Sequence, residues 1–101
     1  MAGPEARIEQ AACARILRTL GVTNFKLGIG GWPDRVFLVP GGKPVFIEFK
    51  SLSGKPDPRQ EHQIEVLKTL GYNVEVCNDV DSAFYAVARA LGATRVYKKS
   101  R

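Results

Sequence analysis

The chain has little of what most metal and nucleophile chemistry draws on, with one histidine and two cysteines in 101 residues. Cys13 and Cys77 lie far apart in apolar stretches, with neither CxxC spacing nor a neighbouring histidine, which argues against a zinc site and a disulfide framework. Both are expected as buried thiols. No apolar run approaches the roughly 18 residues of a membrane-spanning helix, and the opening MAGPEARIEQ lacks the apolar core of a secretory signal. A soluble, cytoplasmic protein is expected, with no membrane partner. The length leaves no room for a second folded module. With 45% hydrophobic and 25% charged residues, the composition suits one domain over 1–101, its core over about 5–92. Nucleotide signatures are missing too: the stretch from Gly28 has Pro33 where GxGxxG needs its last glycine, and no GK[ST] follows.

Charge of one sign is scarce except at the end. Residues 1–88 carry ten Lys or Arg against ten Asp or Glu, so the net +5 comes from Arg89, Arg95, Lys98, Lys99 and Arg101. A basic tail over 93–101 on a neutral body suits a polyanion such as nucleic acid, and equally a solubilising role.

What is present reads as αβββαβα. Pro4 and Glu5 open a helix whose apolar positions Ile8, Ala12, Ile16, Leu17 and Leu20 recur at three to four residues until Gly21. A short strand within Val22–Ile29 precedes the glycine-rich loop from Gly28 to Asp34. Arg35–Val39 and Val45–Phe49 are β-rich runs around Pro40-Gly41-Gly42-Lys43-Pro44, which is hairpin punctuation. Ser51–Arg59 is a polar loop. Asp57-Pro58 caps a second helix carrying Ile64, Leu67 and Leu70, closed by Gly71. Tyr72, Val74 and Val76 alternate as a fourth strand, and Asp79 or Asp81 caps a last helix bearing Phe84, Val87, Ala88 and Leu91 before Gly92.

On the third strand Glu48 and Lys50 are two apart and emerge on one face, opposite Val45, Ile47 and Phe49. Taken alone, such a pair is ordinarily a salt bridge or a half-exposed strand end. The hairpin adds a third group. In a register that sets Val39 against Lys43, Asp34 faces Glu48; slipped by two, it faces Lys50; in both, all three share a face. A slip of one residue would separate them. Carboxylates are the hard oxygen ligands that Mg²⁺ and Mn²⁺ prefer, and such a metal lowers the pKa of water and offsets charge on a phosphate. A lysine beside them suits orientation or activation of the attacking water, so the trio suits phosphodiester hydrolysis.

Two further residues are candidates. At 100° per residue, Glu9 falls in line with Cys13, Ile16 and Leu20 on the core-facing stripe, where an unpaired carboxylate is costly; attraction to the helix N-terminus is the alternative, and it suits Glu5 better. Gln60 lies on the Ile64 and Leu67 face, and at three residues after Asp57 it also fits a capping box. His62 is expected to be solvated and Trp32 to anchor a loop.

The combination Gly31-Trp-Pro-Asp34, Val45-Phe-Ile-Glu48-Phe-Lys50, and Gln60 eleven residues before Gly71 resembles the virus-type replication-repair nuclease (VRR-NUC) domain of the PD-(D/E)XK superfamily. The resemblance runs from about Glu9 to Asp81. It implies an α/β, restriction-endonuclease-like fold with a mixed four-stranded sheet flanked by helices. It also implies that Asp34 and Glu48 are metal ligands, Lys50 is catalytic, Gln60 belongs to the active site and Glu9 is the helix-one acid. For a short stand-alone chain it implies a homodimer acting on branched DNA such as four-way junctions, with Mg²⁺ or Mn²⁺, in a bacterial or phage-infected cell. Two rivals stand beside this reading: a non-catalytic DNA-binding protein that uses the basic tail, and a small interaction subunit.

Overall fold

The computed structural model describes the backbone of residues 3–99 and the side chains of residues 3–92. Its elements follow the expected order: α1 (Pro4–Leu20), β1 (Asn24–Lys26), β2 (Arg35–Phe37), β3 (Val45–Phe49), α2 (Pro58–Thr69), β4 (Asn73–Cys77) and α3 (Val80–Lys99). The strands form one mixed sheet in the order β1-β2-β3-β4, antiparallel from β1 to β3 and parallel between β3 and β4. The parallel pair is possible because α2 makes the crossover that such strands require.

The helices cover the sheet unequally. Val45, Ile47 and Phe49 join Ala12 and Ile16 of α1 and Ala83, Ala86, Val87 and Leu91 of α3 in the larger core. On the opposite face, α2 sets Ile64 and Leu67 on Val74, with Phe46 and Trp32 packed alongside, so Trp32 is the loop anchor its sequence context suggests. His62 is exposed. Asp57 caps α2 through a full capping box with Gln60, and Asp79 caps α3 by accepting from the Ser82 N–H at 2.7 Å. Both cysteines are free, Cys77 buried and Cys13 only half-buried.

Three expectations need correction. First, β2 ends at Phe37, not Val39, because the Leu38 N–H donates to Thr23 O at 2.9 Å and the Val39 N–H folds back onto Phe37 O at 3.1 Å. The register survives this: Arg35 faces Ile47, Val36 faces Phe46 and Phe37 faces Val45. Second, two leucines expected on apolar faces are exposed: Leu17, since the buried stripe of α1 runs Glu9, Ala12 and Ile16, and Leu70, which lies just past the end of α2, whose buried residues are Ile64 and Leu67. Third, α3 runs through Gly92 to Lys99. A glycine inside a helix costs about 1 kcal/mol relative to alanine, too little to end a helix that meets no proline. The side chains of the expected tail lie outside the described residues. None of the described helices is long and apolar enough to cross a membrane.

Candidate active site

Alternation along β3 puts Val45, Ile47 and Phe49 into the larger core and turns Glu48 to the α2 side, where it is 2% exposed. One step beyond the last β2–β3 pair, Asp34 stands opposite Glu48. Its Oδ2 accepts the Phe49 N–H at 2.7 Å. A side chain thus takes the donor that a longer β2 would have paired through its backbone.

Lys50 follows β3, its N–H donating to Cys77 O at 3.0 Å, and its Nζ reaches Glu48 Oε2 at 3.0 Å. The same oxygen accepts from Gln60 Nε2 at 2.8 Å. Gln60 does this while completing the capping box, its Oε1 accepting the Asp57 N–H at 3.0 Å. The two readings of Gln60 are therefore both realised, one at each end of its amide. Glu48 Oε1, by contrast, is buried with no hydrogen-bond partner among the described residues. An orphaned carboxylate oxygen carries a desolvation cost that a cation would remove.

The charges follow from this packing. Burial raises the pKa of Asp34 above the usual carboxylate value; the Phe49 N–H and Lys50 oppose the rise, and repulsion from Glu9 and Glu5 adds to it. Burial also raises that of Glu48, with Asp34 and Glu5 adding and the Lys50 hydrogen bond opposing. For Lys50 burial disfavours the charge, but Glu48, Glu5 and Asp34 outweigh it and its pKa rises, so it is an ammonium at neutral pH.

Asp34, Glu48, Lys50 and Gln60 are therefore drawn together at the end of β3. Glu9 is buried on the α1 stripe, 8% exposed, and is held by Arg35 Nε at 2.6 Å, while Arg35 Nη1 donates to Asn24 Oδ1 at 2.8 Å. Its negative charge still acts on Asp34. Two residues escaped the sequence reading. Arg35 is the partner that allows Glu9 to be buried, and no local pattern signals a pairing across 26 residues. Glu5 is exposed, yet its charge acts on Asp34, Glu48 and Lys50. The signal was its spacing of four from Glu9, which puts both on one side of α1.

Among the described residues no group of three or more His, Cys, Asp or Glu side chains is arranged to hold a metal by itself. The pair Asp34 and Glu48, with one orphaned oxygen, suits a different mode: Mg²⁺ keeps several waters and commonly takes one or two carboxylates plus substrate phosphates.

The family model described as the VRR-NUC domain matches residues 5–81. The chain belongs to the VRR-NUC family. A protein of Acyrthosiphon pisum secondary endosymbiont phage 1, named "Putative nuclease p44", is 35% identical over 68 residues, or 64% of this chain and 73% of its own. A solved structure described as a VRR_NUC domain shares 31% identity at a TM-score of 0.74, covering 86% of this chain and 97% of that one. A second, described as a VRR_NUC domain protein, shares the fold at 16% identity and a TM-score of 0.66, covering 88% of each chain. The VRR-NUC match contains every residue of the cluster, from Glu5 and Glu9 on α1 to Gln60 on α2.

Proposed function

We propose that this VRR-NUC chain is a Mg²⁺- or Mn²⁺-dependent endodeoxyribonuclease that acts as a homodimer and prefers branched DNA such as four-way junctions. The observation that carries the metal-dependent reading is the buried, unpartnered Oε1 of Glu48, beside Asp34 and within a lysine's reach of Oε2. Asp34 and Glu48 would hold the metal, which when bound supplies charge neutralisation at the phosphate and a more acidic water.

The chain's own residues divide the remaining work. Gln60 and Lys50 both bind Glu48 Oε2, which fixes the carboxylate rotamer and leaves the other oxygen directed elsewhere. Lys50, an ammonium in the metal-free protein, donates hydrogen bonds: it orients a water or offsets negative charge growing on the phosphate. The Glu9–Arg35 pair ties α1 to β2 at the residue next to Asp34. Selectivity for branched DNA rests on the family resemblance and on symmetry. A domain this small offers one cleavage site, whereas a two-fold pair presents two in a fixed relation that matches the pseudo-symmetry of a junction.

The test is cleavage of a labelled four-way junction and of its linear arms, with Mg²⁺, Mn²⁺ or EDTA, alongside light scattering with and without junction. Metal-dependent cutting of the junction in preference to the arms, by a dimer, is expected. Binding without cutting under every metal condition would favour the non-catalytic rival. Equal nicking of both substrates by a monomer would leave a simple nicking nuclease.

A further inference from the structure

Three cations either belong to the site or adjoin one of its residues in sequence: Arg35 after Asp34, Lys50, and Arg59 before Gln60. Two are committed, Arg35 to Glu9 and Asn24, and Lys50 to Glu48. Arg59 is exposed and has no hydrogen bond or ion pair with the described residues.

The Arg59 side chain is nonetheless placed. It lies back from the first turn of α2 across the glycine loop: a methyl group at Gly31 would stand 3.0 Å from its Cγ and Nε, and one at Gly30 3.5 Å from both Nη1 and Nη2. Gly31 has φ +81°, a conformation that side-chain-bearing residues rarely adopt, so glycine serves both the turn and the close approach. The loop leads through Trp32 and Pro33 to Asp34, and the helix continues into Gln60. Arg59 therefore spans the two segments that bring Asp34 and Gln60 to the site.

The surroundings give this cation a task. Four carboxylates, Glu5, Glu9, Asp34 and Glu48, act on the site's charge, while the substrate of a nuclease is a polyanion. Without metal these four outnumber the cations Lys50 and Arg35 paired with them, so phosphates flanking the scissile one are repelled unless a further cation takes them. A guanidinium suits that role because its planar fork can bind two oxygens of one phosphate, and the space left by Gly30 and Gly31 lets it lie along the loop that leads to Asp34. The geometry points to Arg59 as a substrate-binding residue whose guanidinium holds a DNA phosphate next to the one being cut. This rests on the nuclease reading.

The experiment is a fluorescence-anisotropy titration of the full chain with labelled duplex in EDTA over a series of salt concentrations, for wild type, Arg59→Ala and Arg59→Lys. Arg59→Ala is expected to bind about tenfold more weakly, as loss of one charge-assisted hydrogen-bond contact would give. It should also flatten the slope of log affinity against log salt by about 0.9, the share of one phosphate. Arg59→Lys should keep the wild-type slope. An unchanged slope in Arg59→Ala would overturn the proposal and make Arg59 a brace for the glycine loop; a lysine variant with alanine's slope would equally remove the charge-based contact. A wild type that never cuts, with the slope still falling in Arg59→Ala, would instead remove the nuclease reading and leave the phosphate contact standing.

Discussion

Val45, Ile47 and Phe49 on one face of β3 are each no more than 1% exposed and are sealed between α1 and α3. On the other face, Phe46 and Glu48 lie towards α2, where the buried apolar cluster is only Ile64, Leu67 and Val74. The two faces differ in what their burial does. The first removes apolar surface from water, which stabilises the fold by roughly 25 cal/mol per Å². The second removes a carboxylate from water and satisfies only one of its oxygens, which destabilises the metal-free protein. Stability and chemistry are thus separated by a single pleat, and mutations on the two faces should fail in different ways.

The largest effect is expected on the site face. Glu48→Gln and Asp34→Asn should each lower cleavage with Mg²⁺ by on the order of 10³-fold or more, while melting of the metal-free protein stays level or rises, because a desolvated like charge has gone. Lys50→Ala should follow with a loss of about 10² to 10³ in turnover while calorimetry still shows metal binding, as when one transition-state donor is removed. Cleavage at the wild-type rate by the Glu48 variant would erase the assignment. On the core face, Ile47→Ala should cost about 2–5 kcal/mol in denaturant unfolding. Cleavage per folded molecule should not change, and a catalytic loss in this variant would show that the two faces are coupled.

How far the comparison was legible beforehand follows from the same residues. The period of two along Val45–Phe49 separates the faces without any coordinates, and one hairpin register brings Asp34 to Glu48, as the observed Arg35–Ile47 pair bears out. That register does not depend on where β2 stops, which is why an incorrect strand end did no harm. The extent of α3 was not legible, since glycine permits a helix as well as ending one. Nor was Arg35, because pairing across 26 residues of sequence is a tertiary fact. Gln60 shows a different limit: a capping box and a site contact predict the same residue, and only atomic positions reveal that the amide serves both.

The pH dependence of metal-free stability sharpens the contrast further. Asp34 and Glu48 have pKa values raised in the folded state, chiefly by burial, so the folded protein holds their protons more tightly than the unfolded chain does. Their contribution is fully present below the unfolded carboxylate pKa and is lost as pH rises through the raised folded values. Melting in EDTA should therefore show the wild type losing stability relative to Glu48→Gln from mildly acidic to neutral pH, because the variant has no carboxyl to ionise there. A difference independent of pH would show that Glu48 is no less comfortable charged in the fold than in water. Ile47→Ala should show no such trend, since the site carboxylates are unchanged in it.

The smallest effect is expected where the two regions meet, at the start of α2. Asp57 accepts the Gln60 N–H at 2.9 Å through its side chain, whereas its own backbone N–H holds Gln60 Oε1. Asp57→Ala deletes the first bond and keeps the second. It should cost about 0.5–2 kcal/mol of stability, as the loss of a helix cap does, and leave cleavage by the folded fraction unchanged. Gln60→Ala leaves the Asp57 side-chain cap in place but removes both amide contacts, including the 2.8 Å bond that orients Glu48. Its stability loss should be comparable, while turnover falls because Glu48 then keeps Lys50 but loses the Gln60 bond. Unfolding and single-turnover cleavage measured on the same two proteins separate the roles. If Asp57→Ala slows cleavage as much as Gln60→Ala does, the cap itself positions Glu48, and the division between a stabilising and a chemical role fails at this helix end.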